Sequence, residues 1–245
     1  RMTFTPDDKV AHTTAETSVV LAVEKAQLSV RVEDVSRDYG LENPEFELVY
    51  EGFVNGEDAD VLVESVSVDT LAKVDSPAGD YPIRLSGGEA ANYEITLTNG
   101  KLTVGRKIPV VTWAAPAPIT YGTALGQAQL GAKGDVAGAF VYLPPIGAIL
   151  DAGDVALRAT FTPANLDGYS KVDKEVMLNV NKAPLTVSVK NVSRAYGEAD
   201  PVFELIYDGF VNGEDESVLL SSVNATTTAK PGSEAGEYPI MLSGG

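Results

Sequence analysis

Apolar residues fall on every second position over short stretches of this 245-residue chain, the pattern of half-buried β-strands. Leu28, Val30 and Val32 alternate with Ser29, Arg31 and Glu33. Phe46, Leu48 and Tyr50 repeat the alternation, and Tyr81-Pro82-Ile83-Arg84-Leu85 predicts a strand with its proline near the start or at an edge. Residues 93–98 and 101–104, joined by Asn99-Gly100, predict a β-hairpin closed by a type I′ turn. A short helical turn is predicted over residues 55–62, with Asn55 as cap, Asp58 at the third capping-box position, and Val61 and Leu62 tucked onto the sheet. Farther on, Val111 and Trp113, Ile119 and Tyr121, Phe140 and Tyr142, Leu157, Ala159 and Phe161, then Val176, Leu178 and Val180 predict the short strands of a sandwich. Trp113 is expected in its core.

The pattern repeats. Displaced by 157 positions, residues 1–88 align with residues 158–245 without a gap, and residues 28–88 share 37 of 61 positions with residues 185–245. A period of that length denotes an array of modules, here two kinds of about 80 residues taking turns. The expected domains are 1–25, the tail of a preceding module of the second kind; 26–106, a module of the first kind; 107–183, one of the second kind; and 184–245, a second copy of the first kind lacking its final hairpin. On this reading the stretch is a piece of a longer polypeptide. The joints are a few residues long, free of Gly/Ser tracts and stiffened by Pro109 and Pro184, so a semi-rigid rod is expected.

The string Asp34-Val35-Ser36-Arg37-Asp38-Tyr39-Gly40, then Asn43-Pro44, Gly52-Phe53-Val54-Asn55-Gly56-Glu57-Asp58, Gly79-Asp80-Tyr81-Pro82-Ile83 and Asn92-Tyr93 resembles the MBG repeats (YGX type) of bacterial surface proteins. Residues 119–125, Ala152-Gly153-Asp154, residues 159–163 and Tyr169 resemble the bacterial immunoglobulin-like repeats that accompany them. Together the resemblances span essentially the whole chain. They imply a mainly β fold, a tandem array of β-grasp-like MBG units alternating with an immunoglobulin-like β-sandwich. They also imply an adhesin-type, extracellular role with no catalytic residues to carry over.

Charge narrows the partners. Thirty-five acidic against 18 basic residues give a net charge of −17; such a surface repels phosphate backbones, so nucleic acid is not an expected partner, and anionic membranes are disfavoured likewise. Cysteine is absent, which suits cytosol or a bacterial exterior where modules fold without disulfides. No apolar run approaches the roughly 20 residues that span a bilayer, so this stretch is not expected to insert into a membrane directly.

Candidate chemistry is sparse. His12 is the single histidine and its counterpart one period later is Tyr169, so a structural aromatic is expected there rather than a catalytic or metal-binding group. Glu57/Asp58 and Glu214/Asp215 recur as acid pairs; helix capping explains them with fewer assumptions than glycosidic acid–base work. Calcium is the one ion with candidate ligands, Asp7/Asp8, Asp151/Asp154 and Asp167, although hard cations want about six oxygens and no D-x-D-x-D-G loop supplies them. No catalytic, cofactor or metal-site residue is therefore assigned and no cofactor is expected. A Lys–Asn isopeptide staple needs a buried lysine, asparagine and acid in contact.

The expected function is a non-catalytic structural or adhesive repeat region of a bacterial cell-surface protein. It serves as stalk, with an unknown protein or glycan ligand on host or neighbouring cells. The alternative is an accessory carbohydrate-binding appendage of a large secreted enzyme, with Tyr39, Tyr50, Tyr121 and Tyr142 as candidate platforms. Where a final strand is lacking, residues 185–189 and 18–23 are left with unpaired edges, which are expected to pair between fragments or to fray.

Overall fold

A computed structural model describes residues 2–8 and 10–245; Arg1 and Lys9, in the tail aligned by the repeat, lie outside the described residues. The fold is mainly β, an array of small sheets with, among the described residues, two single-turn 3-10 helices. The chain divides into two compact units: residues up to Lys107 together with Asp167–Tyr169, and Ile108–Leu166 together with Ser170–Gly245.

In the first unit, β1 (Met2–Phe4) and β2 (Ala15–Thr17) form an exposed antiparallel ribbon. The apolar alternation of Val19, Leu21 and Val23 forms no strand, and these side chains stay in solvent. Their counterparts Val176, Leu178 and Val180 do lie in a strand, flanked by neighbours on both sides. Alternation builds a strand only where a partner ladder exists to satisfy the backbone.

Next come β3 (Ala26–Val32), β4 (Val35–Asp38), β5 (Leu48–Glu51), β6 (Leu62–Thr70), β7 (Gly79–Ala90), β8 (Tyr93–Thr98) and β9 (Gly100–Gly105). They make a three-stranded sheet in the order β5-β3-β8 and a four-stranded sheet in the order β4-β9-β7-β6. One core serves both sheets. β3 contributes Leu28, Val30 and Val32; β8 contributes Tyr93; β6 and β7 contribute Val66, Ile83, Leu85 and Ala90; β9 contributes Leu102 and Val104. Pro82 faces Lys101 of β9 and lies one residue beyond the last β6 pair, Thr70 with Ile83, where its missing N–H breaks no ladder.

The hairpin expected across Asn99-Gly100 does not form. β8 runs parallel to β3 in one sheet, while β9 pairs with β4 and β7 in the other. Gly100 does not take the left-handed backbone that a type I′ turn requires. The Asn99 side chain instead accepts the Leu85 N–H at 2.9 Å, so the dipeptide is the corner at which one extended segment changes sheets. The chain does place an Asn-Gly pair in the left-handed region, at Asn55 (φ 57°) and Gly56 (φ 76°). Residue 55 is therefore a turn residue, and the expectation that it caps the helical turn is corrected. The 3-10 turn Ala59–Val61 is capped by Asp58, whose carboxylate accepts the Asp60 N–H.

In the second unit, β10 (Val111–Thr112) and β12 (Lys133–Gly134) form a two-stranded sheet, and β11 (Ile119–Thr120), β13 (Gly138–Leu143), β14 (Gly153–Pro163) and β15 (Val172–Asn181) form a four-stranded one in the order β11-β15-β14-β13. Leu157, Ala159, Leu178 and Val180 alternate inward from β14 and β15 to meet Ile119, Leu125, Leu130 and Trp113. Trp113 is buried as expected; its indole N–H donates to the Gln129 carbonyl at 3.0 Å and its ring meets Tyr142 edge-on. The second copy of the first module type follows, with β16 (Thr186–Val189), β17 (Leu205–Asp208), β18 (Asn224–Thr227) and β19 (Ile240–Ser243). Among the described residues β16 pairs only β17, and β18 only β19.

Candidate functional site

The recurring motifs of residues 34–58 place their side chains in structural contacts. Arg37 of β4 is the one charged residue buried among the described residues, at 7 % exposure. Its guanidinium donates to the Asn43 amide oxygen at 2.7 Å, to the Asp38 carbonyl at 3.2 Å and to the Lys73 carbonyl. Asn43 in turn donates to the Ala72 carbonyl at 2.8 Å. The planar five-donor fork thus ties the Tyr39-Gly40 turn to the distant loop at residues 72–73. Arg194 repeats the clamp in the second copy, donating to Asp200 at 2.6 Å and the Lys230 carbonyl at 2.7 Å. In the first unit the ring of Tyr39 meets Tyr169 edge-on at 5.3 Å. Tyr169 is therefore a packed aromatic, as the repeat position suggested, and its counterpart His12 is exposed.

Residues 52–58 form the second structured element. The left-handed turn at Asn55-Gly56, closed by the Glu57 N–H donating to the Val54 carbonyl at 3.1 Å, presents Glu57 to β8. There the buried Tyr93 hydroxyl donates to the Glu57 carboxylate and accepts the Val54 N–H at 3.0 Å. The bond to Glu57 holds the Tyr93 phenol above its ordinary value, with the Val54 N–H acting the other way. The same loop in the second copy has the same backbone, with φ 57° at Asn212 and 79° at Gly213. Here Glu214 accepts instead from the hydroxyl of Tyr121, which raises that phenol likewise. Asp215 caps its own turn and is held below the usual carboxylate range by the Ser217 side chain and N–H. The two acids of each pair do different work: the aspartate is itself the N-cap, not the third capping-box residue expected of Asp58, and the glutamate pins a tyrosine.

The remaining candidates separate. Asp8 accepts the N–H groups of Val10 and Ala11, Asp154 accepts from the Asn179 amide, and the Asp167 carbonyl accepts the Ala78 N–H. Among the described residues no three acidic, histidine or cysteine side chains converge as a metal site, and no lysine is buried as an isopeptide staple requires. Each proposed tyrosine platform has an intramolecular neighbour: Tyr169 for Tyr39, Phe53 for Tyr50, Glu214 for Tyr121, and Trp113 with Phe140 for Tyr142. Open depressions among the described residues include one of about 590 Å³ bounded by Glu24, Lys25, Glu89 and Glu94, and one of about 420 Å³ bounded by Leu130, Lys133, Tyr142 and Ile146. Among the described residues no helix is long and apolar enough to cross a membrane.

Sequence reasoning missed the Arg37 clamp and the shared role of Glu57 and Glu214. The signal was present, since Arg-x-Tyr-Gly and the seven residues 52–58 recur unchanged in register at 194–197 and 209–215. No curated protein matches the chain. The family described as MBG domain (YGX type) matches at residues 28–103 and again at residues 185–245, over the same strands, clamp and loop just described, and the chain belongs to that family.

Proposed function

We propose that this chain is a non-catalytic repeat region of a bacterial cell-surface protein, a stalk whose modules also offer surface to a protein or glycan on host or neighbouring cells. The observation that carries the reading is the reuse of one MBG module within a single chain, with an independent β-rich core between the copies. A module whose recurring residues go into clamps, caps and turns is suited to repetition, because each copy folds largely by its own local rules. The intervening module is read as immunoglobulin-like, and the location as extracellular. The strongly acidic composition keeps such an array soluble and apart from its neighbours.

Solution scattering combined with a glycan array tests the proposal. An extended particle with no glycan bound supports a spacer; an extended particle that selects glycans supports a binder. A collapsed particle, or hydrolysis of a glycan or peptide, removes the reading. The open edge of β16 is proposed to pair between molecules at high concentration. Amide exchange showing residues 185–189 fully protected in a proven monomer would contradict that pairing.

A further inference from the structure

Within the second unit, the end of β15 and the start of the second MBG copy are separated only by Lys182, Ala183, Pro184 and Leu185. Four contacts converge around this short connection. β11 runs parallel to the last residues of β15, and the Tyr121 N–H continues that ladder to the Asn181 carbonyl at 2.8 Å. Tyr121 is thereby held at the exit of the module's final strand. Its hydroxyl donates to Glu214 in the loop of residues 209–215. Gly122, at φ +93°, lies so close to Val211 that an added Cβ would sit 2.9 Å from the valine Cβ, leaving room for glycine alone. On the other side of the connection Gly209 packs against the Pro184 carbonyl, where a Cβ would come within 2.2 Å.

We infer that the Tyr121-Gly122 corner and the loop of residues 209–215 form a clasp that fixes the direction in which the intervening module hands over to the MBG module after it. The inference deepens the stalk reading and rests on it for its biological sense. The loop is a receiving surface built into the MBG module, and its partner is a Tyr-Gly corner of a module of the other kind. The first copy displays the same loop, of identical sequence and turn geometry, with Val54 46 % exposed. Its equivalent Val211 is half-buried beneath Gly122. The glutamate at this loop position pins a tyrosine of its own module in the first copy, Glu57 with Tyr93, and one of the preceding module in the second, Glu214 with Tyr121; the two oxygens of a carboxylate can accept both kinds of bond. The recurrence of the loop is then explained twice over, by closing its own module and by receiving its neighbour.

Residual dipolar couplings of the 245-residue chain test the clasp, because they report whether residues 108–181 and 184–245 share one alignment tensor. The expected result is one tensor in the parent chain and two in both Tyr121→Phe and Glu214→Ala. Asp215→Asn, which alters the neighbouring cap and not the corner, should retain one tensor. Emission from Trp113, the only tryptophan, should match the parent in every variant, confirming that the core around β14 and β15 is intact. Separate tensors in the parent chain, or a single tensor surviving both substitutions at the corner, would overturn the clasp. Glycan hydrolysis by the chain would remove the stalk reading and leave these couplings unchanged, so the two failures are distinguishable.

Discussion

The two MBG copies share 37 of 61 aligned positions, and within these 245 residues the first is seen with residues 89–105 beside it while the second is seen without their counterparts. In the first copy Leu28, Val30, Val32, Val66 and Ile83 are buried, and in the second their counterparts Leu185, Val187, Val189, Val223 and Ile240 are only partly covered. Local structure is not what differs. β16 pairs β17 in the register of β3 with β5, Thr186 opposite Asp208 as Ser29 is opposite Glu51. β18 pairs β19 in the register of β6 with β7, Thr227 opposite Ile240 as Thr70 is opposite Ile83. The arginine clamp, the Asn-Gly turn and the aspartate cap all recur. The first copy has in addition β8 and β9, which bring Tyr93, Leu102 and Val104 between the sheets. Even β4 has no counterpart strand at residues 192–195, since its ladder partner in the first copy is β9. Turns and hairpins follow local chemistry; the core waits for two strands that join both sheets at once.

The largest expected effect comes from removing that difference. Appending the sequence of residues 89–105 after Gly245 should bury Leu185, Val187 and Ile240 and complete both ladders. Hydrogen exchange at β16 and β19 should then slow by about 100-fold or more, equivalent to about 3 kcal/mol of opening free energy. Unchanged exchange would show that the two copies differ for some reason other than the strand pair. The reverse experiment is a paired truncation of one core residue. Ile83→Ala removes a fully buried side chain at the centre of the first core and should cost about 2–5 kcal/mol. Ile240→Ala, at a partly exposed position, should stay within about 1 kcal/mol. Chemical denaturation followed by exchange mass spectrometry reads each copy separately, and equal costs would break the comparison.

A smaller contrast concerns the polar pins. Tyr93→Phe leaves the Glu57 carboxylate and the Val54 N–H without their shared partner beside a core residue. A cost of about 1 kcal/mol to the first copy is expected by the same denaturation measurement, with no change in the second. A loss in both copies would mean that the copies are energetically coupled, against the separate cores from which the comparison starts.

How far the sequence reached divides along the same line. The alternation of Leu28, Val30 and Val32, the burial of Trp113 and the presence of a helical turn within residues 55–62 were legible because each depends largely on the local pattern, although the turn's cap is Asp58 and not Asn55. The family could be read from Tyr39-Gly40 and the loop of residues 52–58, which recur in register. The hairpin at Asn99-Gly100 failed because local turn chemistry cannot say which sheet a strand joins. β8 and β9 find better partners in β3, β4 and β7, tens of residues distant, and tertiary pairing overrides the turn preference. Val19, Leu21 and Val23 form no strand and stay exposed, the fraying expected of residues 18–23, because a strand pattern without a partner ladder has nothing to pair with. The pairing of Glu57 with Tyr93 and of Glu214 with Tyr121 lay beyond periodicity altogether, since either glutamate looks like half of an acid pair in an acidic chain.

The smallest effect is electrostatic and is specific to the strand pair. Asp80 on β7 accepts from the Thr103 hydroxyl at 2.7 Å and from Lys101 at 3.1 Å, both on β9. The Thr103 hydroxyl first, then Lys101, hold its carboxyl below the ordinary value. A carboxylate whose folded-state pKa is depressed contributes stability that is fully present above its unfolded value, near 4, and is lost as the pH falls through the lower folded value. Acid should therefore loosen β7 from β9 below about pH 4. Thr103→Val should move the Asp80 titration, followed by carbon-detected NMR, back up toward that ordinary value. The ion pair lies at the surface and is screened by salt, so added salt should shrink the Lys101 contribution while leaving that of the hydroxyl. If Thr103→Val left the titration where it was, β9 would not be what holds this carboxylate. The electrostatic part of the difference between the copies would then need a source other than the added strand.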